Sequence, residues 1–219
     1  MKAVRFGVIG LGGAWSFHGN ACAASPLVRF TAMYDLDYRR AQKMARRYRA
    51  EEVAVYKELD DMLRSDIDAV LIMVPHLYHE EMAVRCAGAG KHVLCEKPMA
   101  ITLEGCDAMI AAAREAGVKL MVAENHRFLP AHRYIHDAVQ EGLVGEVLLV
   151  RAYEGVNEIA GLTTPDSWKG DVLRAGGGSL MDMGVHKFSA LEWILEDRVE
   201  EVTAMLSRQM TNRSEERRV

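Results

Sequence analysis

Short apolar runs alternate with longer segments of helical spacing over the first 123 residues of this 219-residue chain. The runs are Val4–Ile9, Val28–Tyr34, Ala69–Val74, His92–Cys95 and Lys119–Ala123. The predicted helices include Asp37–Arg49, Glu80–Ala89 and Leu103–Ala116. A strand–helix–strand repeat predicts an α/β fold, with a parallel sheet that carries helices on both faces. The run Ala69–Val74 is apolar throughout and ends at Pro75, as expected of a strand buried on both faces.

This rhythm changes beyond residue 123, and we therefore predict two domains, residues 1–123 and 124–219. The second domain is predicted to contain, in order, a helix, a strand, a Gly/Pro/Thr-rich connection, a helix and a strand. The two helices are Ala131–Gln140 and Ser179–Leu195, and the two strands are Glu146–Glu154 and Val199–Met210.

Composition excludes several classes of protein. The net charge of −4 gives no basic surface for nucleic acid and no polybasic membrane patch. No apolar run approaches the roughly 18 residues of a membrane span. The four cysteines form no C-x-x-C pair, so we expect reduced thiols and a cytoplasmic protein. Glycines and polar residues interrupt the N-terminal apolar stretch, so we expect a strand and a turn there, not a signal peptide.

A glycine turn, Gly10-x-Gly12, directly follows the first predicted strand and precedes a helix, in the sequence FGVIGLGGAW. This context is typical of a dinucleotide site, where glycines let the backbone approach a pyrophosphate. The third glycine of the fingerprint is replaced by Trp15, and Gly13 adds a flexible residue. A plain tight turn is the alternative.

Asp35 ends the second predicted strand, where a carboxylate can accept hydrogen bonds from the ribose of a dinucleotide. Because a carboxylate repels a 2′-phosphate, the residue favours NAD over NADP. Arg39 and Arg40, one helical turn further on, leave NADP open. The alternative is that Asp35 only caps the next helix.

Polar side chains follow three of the predicted strands, and in a doubly wound sheet ligands bind at these carboxyl ends. The segments are Val74-Pro75-His76, Glu96-Lys97-Pro98 and Ala123-Glu124-Asn125. Pro98 disfavours the helical region for Lys97 and holds its side chain outward. The alternative for Lys97 is a solvated charge paired with Glu96.

Asp182 and His186 are four residues apart in the last predicted helix and therefore share a face. The glycines Gly176–Gly178 before them would permit close approach to a cofactor. A surface ion pair is the alternative. Neither this pair nor His76-x-x-His79 has an evident third ligand, so we expect no metal. His126, His132 and His136 are expected on a surface or interface.

Three segments together closely resemble the glucose–fructose oxidoreductase / inositol dehydrogenase (Gfo/Idh/MocA) family. They are DAVLIMVPHLYHEEMAVRCAGAGKHVLCEKPMA (68–100), VAENHRFLP (122–130) and GGGSLMDMGVHKFSALEW (176–193). The resemblance implies a Rossmann domain followed by an α/β domain with an open, mainly antiparallel sheet. The second half is shorter than in the family, so we expect a truncated or minimal second domain.

The resemblance also implies the site residues. The catalytic set is expected to be Lys97, Asp182 and His186. The cofactor contacts that the resemblance implies are Gly10, Gly12, Asp35, Pro75, His76, Glu96 and Asn125. We also expect cofactor contacts from the neighbouring Gly13, Ala14, Trp15, Val74, His79 and Lys97; the alternative for His79 is a role at the start of the following helix. Ser189 departs from the aspartate that the family often has at its position.

The activity implied is hydride transfer between NAD, or NADP, and a secondary alcohol of a sugar, cyclitol or related polyol. His186 would act as general base, Asp182 would orient the substrate and Lys97 would stabilise alkoxide charge. A nucleotide-binding sensor without turnover and an NAD-assisted, redox-neutral glycoside cleavage are the alternatives. A homo-oligomer, dimer or tetramer, is expected from the apolar face of Glu146–Glu154.

Overall fold

The computed structural model describes residues 2–47, 53–155, 159–164 and 167–205. It divides the chain into two compact units, Met1–Ala123 and Glu124–Val219. Among the described residues, no helix is both long enough and apolar enough to cross a membrane.

The first unit is a six-stranded parallel sheet with the strand order β3-β2-β1-β4-β5-β6. The strands are β1 (Val4–Ile9), β2 (Val28–Tyr34), β3 (Ala54–Tyr56), β4 (Ala69–Ile72), β5 (His92–Cys95) and β6 (Leu120–Val122). The helices are α1 (Trp15–Ala23), α2 (Tyr38–Arg47), α3 (Leu59–Arg64), α4 (His79–Gly88) and α5 (Leu103–Glu115). The predicted parallel α/β sheet is thus confirmed. Of the predicted helix Asp37–Arg49, residues 48 and 49 lie outside the described residues.

Sequence analysis missed β3 and α3. The strand is three residues long and the helix six, so neither extends over enough residues to show its period. Both nevertheless belong to the fold, since β3 pairs with β2 and α3 buries Leu59, Met62 and Leu63.

The core consists of two apolar clusters, and alternate residues of the central strands enter each of them. In β4, Val70 and Ile72 belong to one cluster, whereas Leu71 belongs to the other. Since successive side chains of a strand point to opposite faces, the clusters lie on the two sides of the sheet. All four residues of β4 are buried, which confirms the prediction of a central strand covered on both faces.

The order of the strands reverses between β1 and β4, because the chain moves outward in opposite directions from this pair. In open α/β sheets, a crevice for ligands forms beyond the carboxyl ends of the strands at such a point. The residues that follow β1 and β4 are the glycine turn and the segment Met73–His76.

The second unit contains α6 (Pro130–Gln140), α7 (Ile159–Thr163), α8 (Val172–Ala175) and α9 (Val185–Leu195). A short 3-10 turn at His126–Phe128 precedes α6, another at Trp168–Gly170 lies between α7 and α8, and a π-helical turn, Leu180–Gly184, leads into α9. Pro130 begins α6, a position where its missing N–H costs nothing. The two predicted helices of this unit are therefore present, the second beginning as a π turn.

The predicted strand Glu146–Glu154 is wrong for the described residues, because residues 147–155 have no regular structure. Apolar residues are indeed concentrated there, but Leu148 and Leu149 are 85% and 72% exposed. An apolar run becomes a strand only when another strand pairs with it. Of the predicted strand Val199–Met210, residues 199–205 likewise form none, and the remainder lies outside the described residues. The open antiparallel sheet is therefore not confirmed.

Candidate functional site

The glycine turn after β1 contains one glycine that the fold requires and two that it does not. Gly10 has φ of +84°, and a Cβ there would lie 2.7 Å from the carbonyl oxygen of Met73. A Cβ on Gly12 or Gly13 would meet no heavy atom of the described residues within 4 Å. Gly10 therefore permits the close approach of β1 and β4, whereas Gly12 and Gly13 leave open space beside the backbone.

Trp15 takes part in the turn differently from the prediction. Its side chain is 1% exposed and packs edge-on against Phe30, with ring centroids 4.8 Å apart. The fingerprint has a small residue at this position, whereas this chain has the large Trp15, which anchors α1 to the sheet. The Trp15 side chain is therefore not available to a cofactor, whereas the neighbouring Ala14 is half-buried.

Asp35, directly after β2, is tied to the same turn. Its carboxylate is 7% exposed and accepts hydrogen bonds from the backbone N–H groups of Leu11 and Asp37, both at 2.8 Å. Arg40 lies 3.6 Å from one of its oxygens. Each carboxylate oxygen can accept a further hydrogen bond, so Asp35 can position the turn and still accept from a ligand.

The segment after β4 contains Val74, Pro75, His76 and His79. Both ring nitrogens of His79 lie against backbone carbonyl oxygens, Nδ1 at 2.8 Å from Pro98 and Nε2 at 2.9 Å from Val74. The side chain is fully buried, and this burial lowers the pKa of His79. His79 has no ring atom left for a cofactor. We therefore correct the predicted contact to a brace between the ends of β4 and β5.

His76 is also buried, at 3% exposure, and packs edge-on against His79. Val74 and Pro75 are partly exposed. The available surface at the end of β4 is therefore presented by Val74 and Pro75, with His76 behind them.

The Glu-Lys-Pro segment follows β5 and contains a cis Lys97–Pro98 peptide bond. Glu96 lies 2.6 Å from Nε2 of His18 on α1 and also accepts from the backbone N–H of Lys97 at 3.1 Å. Burial alone would raise the pKa of Glu96, but the hydrogen bond and charge of His18 outweigh it and the pKa is lowered. The carboxylate is thus held ionised beside Lys97, which is itself partly exposed.

The second unit contains a separate group of side chains around His186, near the start of α9. The Nδ1 atom of His186 lies 2.6 Å from Oε2 of Glu124, and both residues are buried. Burial is the largest influence and would raise the pKa of Glu124, but the hydrogen bonds from His186 and the His126 N–H, together with the nearby histidines, lower it. His126 stacks on the His186 ring at 4.1 Å, and its pKa is lowered, chiefly by burial.

Asp182 lies one turn earlier, in the π-helical turn, and forms an ion pair with Lys169 at 3.0 Å. Its carboxylate is 18% exposed. Asn125, the remaining predicted contact, is exposed and precedes the 3-10 turn at His126.

Sequence reasoning did not assign four residues that the structure places in these groups: Glu124, His126, His18 and Lys169. Glu124 and His126 flank the predicted contact Asn125, which was the available signal. Their partner His186 is 62 residues away from Glu124, a separation that no local pattern reveals. His126, which was expected on a surface or interface, is half-buried and packs its ring against the buried His186.

Glu124, His126 and His186 each offer a ligand atom, all within 4.8 Å of one another, and such a set could hold a metal ion. The expectation of no metal was based on other residues. It did not consider this group, because its members come from two distant segments of the chain.

Comparison with known proteins identifies the family. Residues 4–124 match the model of the Gfo/Idh/MocA oxidoreductase family, described as an NAD-binding Rossmann fold. Residues 132–218 match the Gfo/Idh/MocA C-terminal domain. The chain belongs to the Gfo/Idh/MocA family. The resemblance carried by the Glu-Lys-Pro and Asp-x-x-x-His segments is therefore confirmed.

Two curated members illustrate the relationship. The dTDP-3,4-didehydro-2,6-dideoxy-alpha-D-glucose 3-reductase of Actinomadura kijaniata is 36% identical over 209 residues, covering 93% of this chain and 59% of the relative. The myo-inositol 2-dehydrogenase of Thermotoga maritima is 30% identical over 204 residues, covering 92% and 58%. The chain thus spans between half and two thirds of the length of these Gfo/Idh/MocA relatives.

Among solved structures, GenD2 from gentamicin A biosynthesis, crystallised in complex with NAD, matches with a TM-score of 0.76 and 27% identity. The match covers 89% of this chain and 54% of that one.

Proposed function

We propose that this chain acts as an NAD(P)-dependent oxidoreductase, transferring hydride between a nicotinamide cofactor and a secondary alcohol of a sugar, cyclitol or related polyol. One observation carries the proposal: the open glycine turn and the Glu96–Lys97 segment follow strands of one parallel sheet, in a member of an NAD-binding family. Carboxyl ends of parallel strands share an edge, and ligands bind there.

The first unit fits the dinucleotide. The open space at Gly12 and Gly13 lets a pyrophosphate approach the backbone, and the N-terminus of α1 directs N–H groups and a partial positive charge towards it. Asp35 would accept from a ribose hydroxyl. A buried carboxylate at this point favours NAD, and Arg40, about half exposed beside it, is the residue that would accommodate the phosphate of NADP.

The residues of the chain would manage the charge and the proton of the alcohol. When bound, the nicotinamide supplies the hydride acceptor or donor. The ammonium group of Lys97 would donate to the reacting oxygen and stabilise its negative charge. Asp182 would orient the hydroxyl, and His186 would take its proton as general base.

The second unit would provide further substrate contacts, through Asp182 and His186, and the assembly surface. The exposed apolar run Val147–Val150 supports this part of the proposal, because contiguous exposed apolar surface marks interaction sites. The open, mainly antiparallel sheet and the homo-oligomer expected from the sequence both require strands or subunits that pair with this run.

The direct test is to incubate the protein with a panel of polyols and NAD⁺ or NADP⁺, and to follow the absorbance band of the reduced nicotinamide. We expect accumulation with at least one polyol. Lys97→Met should lower kcat by about 10²-fold or more while changing the Kd of the cofactor only a few-fold. The matched control is Lys119→Met, which removes an exposed lysine before β6.

Three results would contradict the proposal. Cofactor binding without turnover of any polyol would favour a sensor, and turnover without net reduction would favour redox-neutral cleavage. Loss of cofactor binding in Lys97→Met would show that Lys97 binds the dinucleotide and does not act on the substrate.

A further inference from the structure

The carboxylate of Glu124 has two hydrogen-bonded neighbours, one on each oxygen. Oε1 accepts from the backbone N–H of His126 at 2.8 Å, and Oε2 lies 2.6 Å from Nδ1 of His186. Glu124 is 9% exposed and His186 7%. A short contact between two buried groups of this kind is a strong, charge-assisted hydrogen bond.

We propose that Glu124 is a positioning residue that keeps the proton of neutral His186 on Nδ1. A carboxylate can only accept, so the nitrogen facing it must carry the hydrogen. The lone pair of His186 is then on Nε2, the nitrogen available to take a proton from a substrate hydroxyl. The inference rests on the proposed function, in which His186 is the general base.

Two contacts hold this arrangement. The first is the His126 N–H, which fixes the carboxylate by its other oxygen. The second is the ring of His126, nearly parallel to that of His186 at an interplanar angle of 15°, which opposes rotation of the imidazole. When His186 takes the proton and becomes an imidazolium, the negative charge of Glu124 stabilises it.

The same three side chains each offer a ligand atom to a metal ion, but two features of their geometry oppose such a site. Ligands of a tetrahedral zinc with bonds of about 2.1 Å lie about 3.4 Å apart, whereas the Glu124 and His186 atoms are 2.6 Å apart. An imidazole also points its lone pair within the plane of its ring, so two stacked rings cannot both point at one ion. The buried His126 Nδ1, which has no hydrogen-bond partner among the described residues, is the atom an ion would recruit.

The substitution Glu124→Gln separates orientation from charge. The amide oxygen is expected to stay on the His126 N–H, because a backbone N–H can only donate. The amide NH₂ then faces Nδ1 of His186 and donates to it. Neutral His186 would consequently carry its proton on Nε2, where it cannot act as a base towards the hydroxyl.

The first measurement is the ¹⁵N NMR spectrum of the histidine side chains, with His186 assigned from the signal lost in His186→Asn. The wild type should show the Nδ1–H form of neutral His186, and Glu124→Gln the Nε2–H form. The second measurement is kinetic: kcat should fall by about 10²-fold or more in Glu124→Gln, the scale of lost general-base catalysis. KM and cofactor Kd should change only a few-fold.

Two further variants control the result. Glu124→Asp keeps the acceptor and the charge, so it should retain the Nδ1–H form and more activity than Glu124→Gln. Glu192→Gln removes an exposed carboxylate from α9, the helix that contains His186, and should leave both the NMR spectrum of His186 and kcat unchanged.

An Nε2–H form in the wild type would overturn the inference, and so would an active Glu124→Gln. Addition of Zn²⁺ alone distinguishes a metal site from a positioning hydrogen bond. Tight Zn²⁺ binding that shifts the His126 and His186 signals together would also overturn the inference. If the wild type shows Nδ1–H but turns over no polyol, the proposed function fails and the positioning of His186 by Glu124 stands.

Discussion

Substitutions in the glycine turn should separate an effect on stability from an effect on cofactor binding. Replacing Gly10 by Ala places a Cβ 2.7 Å from the Met73 carbonyl oxygen, at a residue with φ of +84°. Holding a non-glycine residue in this region costs about 1–3 kcal/mol, and overpacking against backbone costs about 1–3 kcal/mol more. Gly10→Ala should therefore reduce the free energy of unfolding by about 2–6 kcal/mol, a large part of the stability of an ordinary domain.

Gly12→Ala is the matched partner. Its Cβ would meet no heavy atom of the described residues within 4 Å, and Gly12 does not have a positive φ. The free energy of unfolding should stay within about 0.5 kcal/mol of the wild type. If a pyrophosphate approaches the backbone here, however, the added methyl group should weaken NAD binding by tenfold or more.

Urea unfolding followed by circular dichroism gives the first quantity, and titration calorimetry with NAD the second. The reasoning is refuted if Gly10→Ala is as stable as the wild type, since the close approach of β1 and β4 would then tolerate a side chain. An unchanged Kd for NAD in Gly12→Ala would remove the dinucleotide from the turn.

Three further predictions concern the first unit. Asp35→Ala should weaken NAD binding by about 1–3 kcal/mol and also lower stability, because it orphans the Leu11 N–H; a cofactor titration beside urea unfolding measures both. Ile72→Ala should cost about 2–5 kcal/mol of unfolding free energy, since the side chain is fully buried, and a loss below 1 kcal/mol would contradict the core assignment. Arg5 holds the pKa of Asp68 well below its usual range, through side-chain and backbone hydrogen bonds. The stability from this depressed pKa is present above the unfolded-state value of about 3.9 and is lost as the pH falls. The stability difference between wild type and Asp68→Asn should therefore shrink in acid, which unfolding at several pH values will show.

The first unit could be predicted because its information is local. Each long strand is rich in apolar residues, and Gly or Pro lies close to the ends of β1, β4 and β5. The strand Ala54–Tyr56 escaped because three residues show no period. His79 was predicted as a cofactor contact because it follows a strand end. In the structure its side chain is buried and contacts two backbone carbonyl oxygens, so that it braces the ends of β4 and β5.

The second unit was less predictable because its key contacts join distant segments. Glu124 and His186 meet across 62 residues, and Asp182 is paired with Lys169 from a stretch that sequence analysis treated as a connection. The segment Glu146–Glu154 has the composition of a strand, but composition cannot supply the second strand that must hydrogen-bond with it.

Transfer of deuterium tests the central claim most directly. The protein would be incubated with NAD⁺ and a polyol substrate labelled with deuterium at its carbinol carbon. The deuterium content of the reduced cofactor would then be measured by mass spectrometry. We predict one deuterium in the reduced nicotinamide for the wild type, and a rate of deuterium transfer lower by about 10²-fold or more in Lys97→Met or His186→Asn, although both still bind NAD. Reduced cofactor without deuterium, or undiminished transfer in either variant, would contradict the account.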